Sequence, residues 1–315
     1  MNPLLHLRLM TEGDLPFADS LRAVVGWNQK PHDWQRLLAY EPQGCFVAEW
    51  NGSPVGTATT TRYANEVAWI GMLLVHPDHR GRGVGRALLE RCLQSLRGTR
   101  CIKLDATPLG KELYVKLGFQ AEWPLTRWET QCLDVHGDSP ALAAEAGGQS
   151  PAAAGPLETV CHPASSTFQG GLRLRPWKVT DASRIEPLDS GVFGVPRTRM
   201  LELLATQSSN AIVSTDEAGR VNGYGLLRQG SRAFYLGPVA ASSSEAGVTL
   251  IRTLVHQVKG HPVFWDIPDA NQAAVSLVKE LGFTPQRPLL RMFIGNNEHP
   301  GNQERYYALA DPSIG

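Results

Sequence analysis

The stretch IGMLLVHPDHRGRGVGRALLERCL, residues 70–93, decides how this chain is read. Its start lies within VAWIGMLLV (67–75), an apolar run of strand length, as expected of a buried central strand. Pro77 stops that strand. In the loop that follows, Gly81, Gly83 and Gly85 alternate with Arg80, Arg82 and Arg86. Val84, Leu88, Leu89, Cys92, Leu93 and Leu96 then recur at helical spacing, so a helix begins inside the loop. Glycine lacks a Cβ, and such a backbone can curl with its N–H groups facing one point. The helix N-terminus adds about half a positive charge, and the arginines add more. The product is an anion cradle, and a pyrophosphate is its natural occupant. A Rossmann dinucleotide site needs GxGxxG, but position 86 is Arg; the GxxxxGK[ST] phosphate loop is absent.

Upstream, HLRLM reads as a short strand. Asp14 is placed to cap a helix running toward Val25, and Pro31 opens a second helix through Leu38. CFVAEW and VGTATTTR are strands joined at Asn51-Gly52, a hairpin signal. Downstream come the strand CIKLDAT, a short helix from Lys111 to Leu117 ended by Gly118, and a last strand carrying Trp123 to Trp128.

This order of elements occurs twice. Leu7-Arg8-Leu9 with Asp14 matches Leu174-Arg175-Pro176 with Asp181 at an offset of 167, and Leu117-Gly118-Phe119 matches Leu281-Gly282-Phe283 at an offset of 164. The second series is LRLRPW, two helices to Gln207, AIVST, VNGYGLLR, AFYLGPVAA, a helix to Val258, VFWDIP, a helix to Leu281, and LLRMFIG. A repeat of this length implies two domains of one fold. Each is predicted as α/β (α+β), a mixed, mostly antiparallel sheet flanked by helices. From Asp138 to Gly171 the chain is rich in Ala, Gly, Pro and Ser, which cannot offset its ordering entropy by burial and reads as a linker.

Thirty Lys plus Arg against thirty Asp plus Glu give a formal net charge of zero, which disfavours nucleic acid and an anionic membrane surface as partners. No run of about 18 apolar residues suggests a membrane span. Five widely spaced cysteines without CxxC argue against a disulfide framework and a zinc site, and a cytoplasmic location is expected.

The central block resembles the GNAT superfamily of acyl-CoA-dependent N-acyltransferases. The family's cofactor loop [QR]-x-x-G-x-[GA] is matched by Arg80-Gly81-Arg82-Gly83-Val84-Gly85, its strand end L-x-V-x-P by Leu73-Leu74-Val75-His76-Pro77, and its L-Y-x-x-L-G-F helix by Leu113-Tyr114-Val115-Lys116-Leu117-Gly118-Phe119. The resemblance covers residues 6–130. It implies a GNAT domain with an acetyl-CoA site at 1–134, a linker at 135–171, and a degenerate GNAT-like domain at 172–315. In the latter the loop has become Val239-Ala240-Ala241-Ser242-Ser243-Ser244-Glu245-Ala246-Gly247, and Val278 stands in the place of Tyr114.

The resemblance further implies that the backbone of 81–86 holds the CoA pyrophosphate, flanked by Arg80, Arg82 and Arg86. Leu73, Leu74 and Val75 would hydrogen-bond the pantetheine arm, with an N–H near Leu74 polarising the thioester carbonyl. Tyr114 would protonate the departing thiolate. The expected reaction is acetyl transfer from acetyl-CoA, with no metal, to a primary amine of a small molecule or peptide by direct attack. Asp105, Glu66, His76 and His79 are candidate bases, each of which also reads as an ordinary structural or solvent-facing group. Thr107-Pro108 occupies a region where relatives often carry Asn. In the second copy Trp265, Asp266, Asp269, Asn271 and Arg291 are candidates for reading an acceptor. Trp265 also reads as a core aromatic and Asn271 as a helix cap, and Ser242 to Ser244 as a residual anion site. The second copy is expected to cover the acceptor side of the first or to stabilise the pair. A non-catalytic acyl-CoA sensor and a transferase of longer acyl groups stay open as alternatives. The sequence leaves the acceptor and the oligomeric state open.

Overall fold

The computed structural model describes residues 4–132, 166–167 and 172–315. The expected linker therefore lies outside the described residues, apart from the two-residue strand at 166–167. The first copy contains strands β1 (Leu5–Leu9), β2 (Cys45–Trp50), β3 (Ser53–Tyr63), β4 (Val67–Val75), β5 (Cys101–Ala106) and β6 (Gln120–Thr130). Its helices are α1 (Leu15–Val24), α2 (Pro31–Tyr40), α3 (Val84–Ser95) and α4 (Lys111–Lys116). After β7 (Ser166–Thr167), the second copy has β8 (Arg173–Pro176), β9 (Asn210–Thr215), β10 (Val221–Gln229), β11 (Phe234–Ala241), β12 (Val263–Pro268), β13 (Thr284–Gly295) and β14 (Tyr306–Ala308). Its helices are α5 (Ala182–Phe193), α6 (Thr198–Thr206), α7 (Ser244–His256) and α8 (Gln272–Glu280). Among the described residues no helix is long and apolar enough to cross a membrane.

The repeat is visible in single contacts. In each copy the first strand carries an arginine that forks onto the aspartate six residues later. Arg8 Nη1 and Nη2 lie 2.7 Å from the Asp14 carboxylate, and Arg175 Nη2 lies 2.7 Å from Asp181 Oδ1. Asp14 was expected to cap α1. Its carboxylate instead turns back to accept from the Thr11 N–H, as Asp181 accepts from Lys178 N–H, and closes the turn before the helix. At the hairpin tip Asn51 and Gly52 both have positive φ (52° and 78°), as a type I′ turn requires.

The two copies share one sheet, in the order β1-β2-β3-β4-β5-β13-β6-β12-β11-β10-β9-β8-β7, with β14 added to β11. The final long strands have changed places. β13 of the second copy pairs with β5 of the first, β6 of the first pairs with β12 of the second, and β6 and β13 pair with each other. Exchange is reinforced by two equivalent ion pairs. Arg127 on β6 forks onto Asp266 on β12 (2.7 and 2.6 Å), and Arg291 on β13 forks onto Asp105 on β5 (2.8 and 2.9 Å). Arg291 follows Arg127 by 164 positions, so the duplication itself generates the pair of bridges. Both are buried, and the bidentate geometry leaves neither carboxylate oxygen unmatched.

Candidate active site

β4 begins beside β5 as a parallel pair, but the ladder ends at Trp69–Lys103. The reason lies on the other side of β4. Its register with β3 slips between Thr57 and Thr59, and Met72 takes up φ +48°. This bulge re-aims the strand, and the Thr57 hydroxyl donates to Met72 O at 2.9 Å and pins it. From Gly71 to Val75 the edge of β4 facing β5 has no strand partner. Gly56 on β3 permits the bend, since a Cβ there would stand 2.9 Å from Leu74 O. A cavity of about 840 Å³ fills the splay and is lined by residues from both faces of the sheet.

At the α3 end, the cavity is lined by Leu73, Leu74, Val75, Arg80, Gly81, Gly83, Val84, Gly85 and Arg86. Gly81 (φ +73°) and Gly83 (φ +85°, capping α3) sit in the left-handed region in open space, so backbone conformation, rather than crowding, demands glycine there. Arg80 Nε donates to Val75 O at 3.3 Å and ties the loop to the strand end. Arg82 departs from expectation. It lies 5.5 Å over the Trp50 ring and does not line the cavity.

Tyr114 on α4 also lines the cavity, its ring held between Gly110 and the edge of Phe119. A Cβ at Gly110 would stand 2.9 Å from Tyr114 Cε2. The hydroxyl hydrogen-bonds to no described residue, and burial pushes its pKa up, so it keeps its proton at neutral pH. Thr107 lines the cavity in the place of the absent Asn, and Gly110 N donates to its carbonyl at 3.0 Å.

The opposite end lies on the α1–α2 face. Val25, Trp27 and Gln29 from the α1–α2 loop meet Arg127, Arg287, Leu289, Asp311, Pro312 and Ser313 there. The α1–α2 loop is clamped onto the β10–β11 hairpin by Asn28, which accepts from Arg232 N and Ala233 N (2.9 and 3.0 Å) and donates to Ala233 O. The segment 311–315 lies along β4. Trp69 Nε1 donates to Pro312 O (3.1 Å), Tyr63 Oη donates to Ile314 O (2.6 Å), and a Cβ at Gly71 would collide with the Ser313 backbone. The Asp311 carboxylate accepts from Gln29 Nε2 (3.0 Å) and from Ser313 N and Oγ (2.8 and 2.6 Å), and faces no cation within ion-pair distance. Arg287 makes no hydrogen bond or ion pair with a described residue, and its Nε is buried without a partner. Burial, then repulsion from Arg127, lowers its pKa to about 10.

The other sequence candidates divide between the cavity and the rest of the fold. Asp105 borders the cavity, but Arg291 holds both its oxygens, and the Arg127–Asp266 pair repeats the arrangement in the copy without a cradle. Glu66 is at the far end of β4 with Arg100 (3.3 Å) and His299 (3.6 Å). His76 Nδ1 accepts from Asp78 N, whereas His79 lines the cavity. Trp265 is core, Asn271 caps α8, and Asp269 accepts from Thr126. Trp265, Asp266, Asp269, Asn271 and Arg291 all lie outside the cavity lining, and Ser243 caps α7 through the Ala246 N–H. Sequence reasoning missed Asp311, because its segment has no counterpart in the first copy. It also missed Arg287, which a strict 164-residue alignment would have flagged opposite Trp123. Among the described residues no cluster of His, Cys, Asp or Glu fits a metal ion.

The profile of the acetyltransferase (GNAT) family matches residues 16–119, and that of an acetyltransferase (GNAT) domain matches residues 185–308. The chain belongs to the GNAT acetyltransferase family. It is a tandem member, with the two matches falling on the two copies. The uncharacterized N-acetyltransferase YitH of Bacillus subtilis is 24% identical over 248 residues, 78% of this chain and 76% of its own. The holothin acyltransferase of a Pseudoalteromonas strain is 23% identical over 292 residues, 92% of this chain and 87% of its own. Among solved structures, a Pyrococcus horikoshii protein assigned to the acetyltransferases superposes with a TM-score of 0.74 at 21% identity, covering 100% of this chain and 97% of its own. A tandem GNAT protein from the clavulanic acid pathway gives 0.61 at 15%, covering 95% and 99%.

The second GNAT domain has the same splay, and its own chain fills it. β11 and β12 pair only from Phe234–Val263 to Leu236–Trp265, and β14 then pairs with β11 at Val239 and Ala240. By the register against β10 and β3, where Ala240 faces Tyr224 as Leu74 faces Thr57, these positions correspond to Leu73 and Leu74. Trp265 Nε1 donates to Tyr307 O (2.8 Å), Asn271 Nδ2 to Glu304 O (2.9 Å), and the Tyr307 ring packs where a Cβ on Gly247 would fall. The slot that stands open in the first domain is thus occupied by backbone and aromatic side chain in the second.

Proposed function

We propose that the first domain binds acetyl-CoA and catalyses transfer of its acetyl group to the primary amine of a small molecule or peptide. The observation that carries this reading is the unpaired edge of β4 next to the left-handed glycines of the loop before α3. The residues fit the cofactor. Gly81 and Gly83 form a concave backbone at a helix N-terminus for the pyrophosphate, with Arg80 and Arg86 beside it. The free edge at Leu73–Val75 offers strand-like hydrogen bonds to an amide-bearing arm. Bound acetyl-CoA supplies an activated thioester.

The chain's own residues do the rest. Backbone N–H groups near Leu74 polarise the carbonyl. The walls formed by Trp27, Met72 and Leu289 orient the amine for attack. Asp311, which lines the cavity and has no ion-pair partner among the described residues, takes the proton released as the new C–N bond forms. Tyr114 delivers its proton to the sulfur as the C–S bond breaks, and its raised pKa fits the acid role. No nucleic acid or membrane partner is proposed. A cytoplasmic setting is part of the proposal and rests on the wide, CxxC-free spacing of the cysteines in the sequence.

The test is release of free CoA from acetyl-CoA with a panel of amines, comparing wild type with Tyr114→Phe. Amine-dependent release that falls about 100-fold in the variant, with acetyl-CoA affinity within about threefold, is the expected result. Binding of acetyl-CoA without amine-dependent release would replace the enzyme by an acyl-CoA sensor.

A further inference from the structure

We infer that the acceptor carries a carboxylate beside its amine, and that Arg287 at the α1–α2 end of the cavity binds it. This rests on the reading of the cavity as an acetyl-transfer site and names its substrate class.

The first argument is charge. The buried cluster at this end comprises Arg36, Arg127, Arg228 and Arg287 with Asp33, Asp266 and Asp311. Arg36 and Arg228 share Asp33, and Arg127 is matched by Asp266. Asp311 engages Gln29 and Ser313 rather than a cation. Four cations face three anions, a net charge of one, and Arg287 is the arginine of this cluster without a hydrogen bond or ion pair to a described residue. A guanidinium with a buried, unsatisfied Nε costs stability unless something pairs with it.

The second argument is symmetry. β6 and β13 run antiparallel, with Trp123 opposite Arg291 and Arg287 opposite Arg127. The repeat offset of 164 makes Trp123 the counterpart of Arg287. In the one place the indole stacks 4.0 Å from the Arg291 guanidinium. In the other, two guanidinium-bearing residues are adjacent in register and repel. The fold therefore tolerates an aromatic at this site, and the arginine serves something other than the fold.

The third argument is placement. Arg287 and Leu289 lie on the face that carries Trp69 and Met72, whereas Leu290 packs with Leu113 and Tyr114 on the α3 face. The phosphate cradle and Arg287 are thus at opposite ends of one cavity, which assigns Arg287 to the acceptor. A single surplus charge suits a monoanion, and a planar guanidinium suits a carboxylate. Asp311 in the same chamber offers the ammonium a counter-charge.

The experiment uses the full chain with acetyl-CoA and matched acceptors: the proteinogenic amino acids, their amides, and O-phosphoethanolamine as the phosphate alternative. Amino acids are expected to exceed their amides in kcat/KM by at least about 30-fold. Arg287→Gln should remove that preference, and Arg287→Lys should restore part of it. A preference for phosphoethanolamine, or equal rates for acids and amides, overturns the inference. A second readout is independent of turnover. Calorimetry with N-acetylated amino acids and their amides should show carboxylate-dependent binding to wild type that Arg287→Gln loses. If no amine is acetylated the proposed reaction falls, while this titration still decides Arg287; absence of carboxylate-dependent binding overturns the role given to it.

Discussion

Arg8 and Asp14 show how a repeat in the sequence becomes a repeated bond. The short motif at an offset of 167 was legible, but the partner was not: Asp14 reads as a helix cap, and the fold gives its carboxylate to Arg8 and the Thr11 N–H instead. That environment holds the Asp14 pKa at about 2, with Arg8 as the largest cause. A depressed carboxylate pKa adds stability that is present above its ordinary range and lost as pH falls through the folded value. The stability gap between wild type and Arg8→Gln, measured by urea unfolding, should therefore be full above about pH 4 and shrink toward pH 2. A gap constant over that range would mean the pair acts through packing alone. Asp105 teaches the opposite lesson. It was a fair candidate base from its place at a strand end, and only the exchanged strand, bringing Arg291 from 186 residues away, makes it structural. Arg291→Met leaves Asp105 buried without its partner and should cost about 3–5 kcal/mol; a loss under about 1 kcal/mol in thermal unfolding would show that Asp105 is relieved some other way.

At the scale of elements, local patterns carried far. β2, β4 and β12 match the apolar runs that predicted them to the residue, because each is bounded by turn chemistry or by proline. The glycine loop was legible for the same reason, since left-handed positions such as Gly81 and Gly83 leave few residue choices. Two features were not legible. The bulge at Met72 depends on the Thr57 hydroxyl in another strand and on Gly56 making room. β14 has no signal in its own sequence that it fills a slot, because that depends on the emptiness of its neighbour. From this scale comes a sharp expectation for Tyr307→Ala. It removes the ring packed on Gly247, and should destabilise the chain by about 3 kcal/mol without changing acetyl-CoA affinity. A change in that affinity would tie β14 to the first site.

At the scale of the molecule, duplication predicted two domains, and the structure contains one continuous sheet in which neither copy is complete. β5 lacks a neighbour without β13, and β12 lacks one without β6. Long-range pairing of this kind leaves no local trace, since either copy alone would satisfy the same hydrophobic pattern. Residues 1–134 expressed alone should expose the edge of β5 and aggregate or self-exchange. Coexpressed with 166–315, they should yield a soluble one-to-one complex; a stable, monomeric first half would contradict mutual completion. The two slots differ within the same architecture: one is open and cradled by glycines, the other is closed by β14. The most direct measurement is calorimetric titration of the full chain with acetyl-CoA. One site per chain is predicted, abolished by Gly83→Glu and untouched by Ser243→Ala. Two sites, or one that survives Gly83→Glu, would contradict the account.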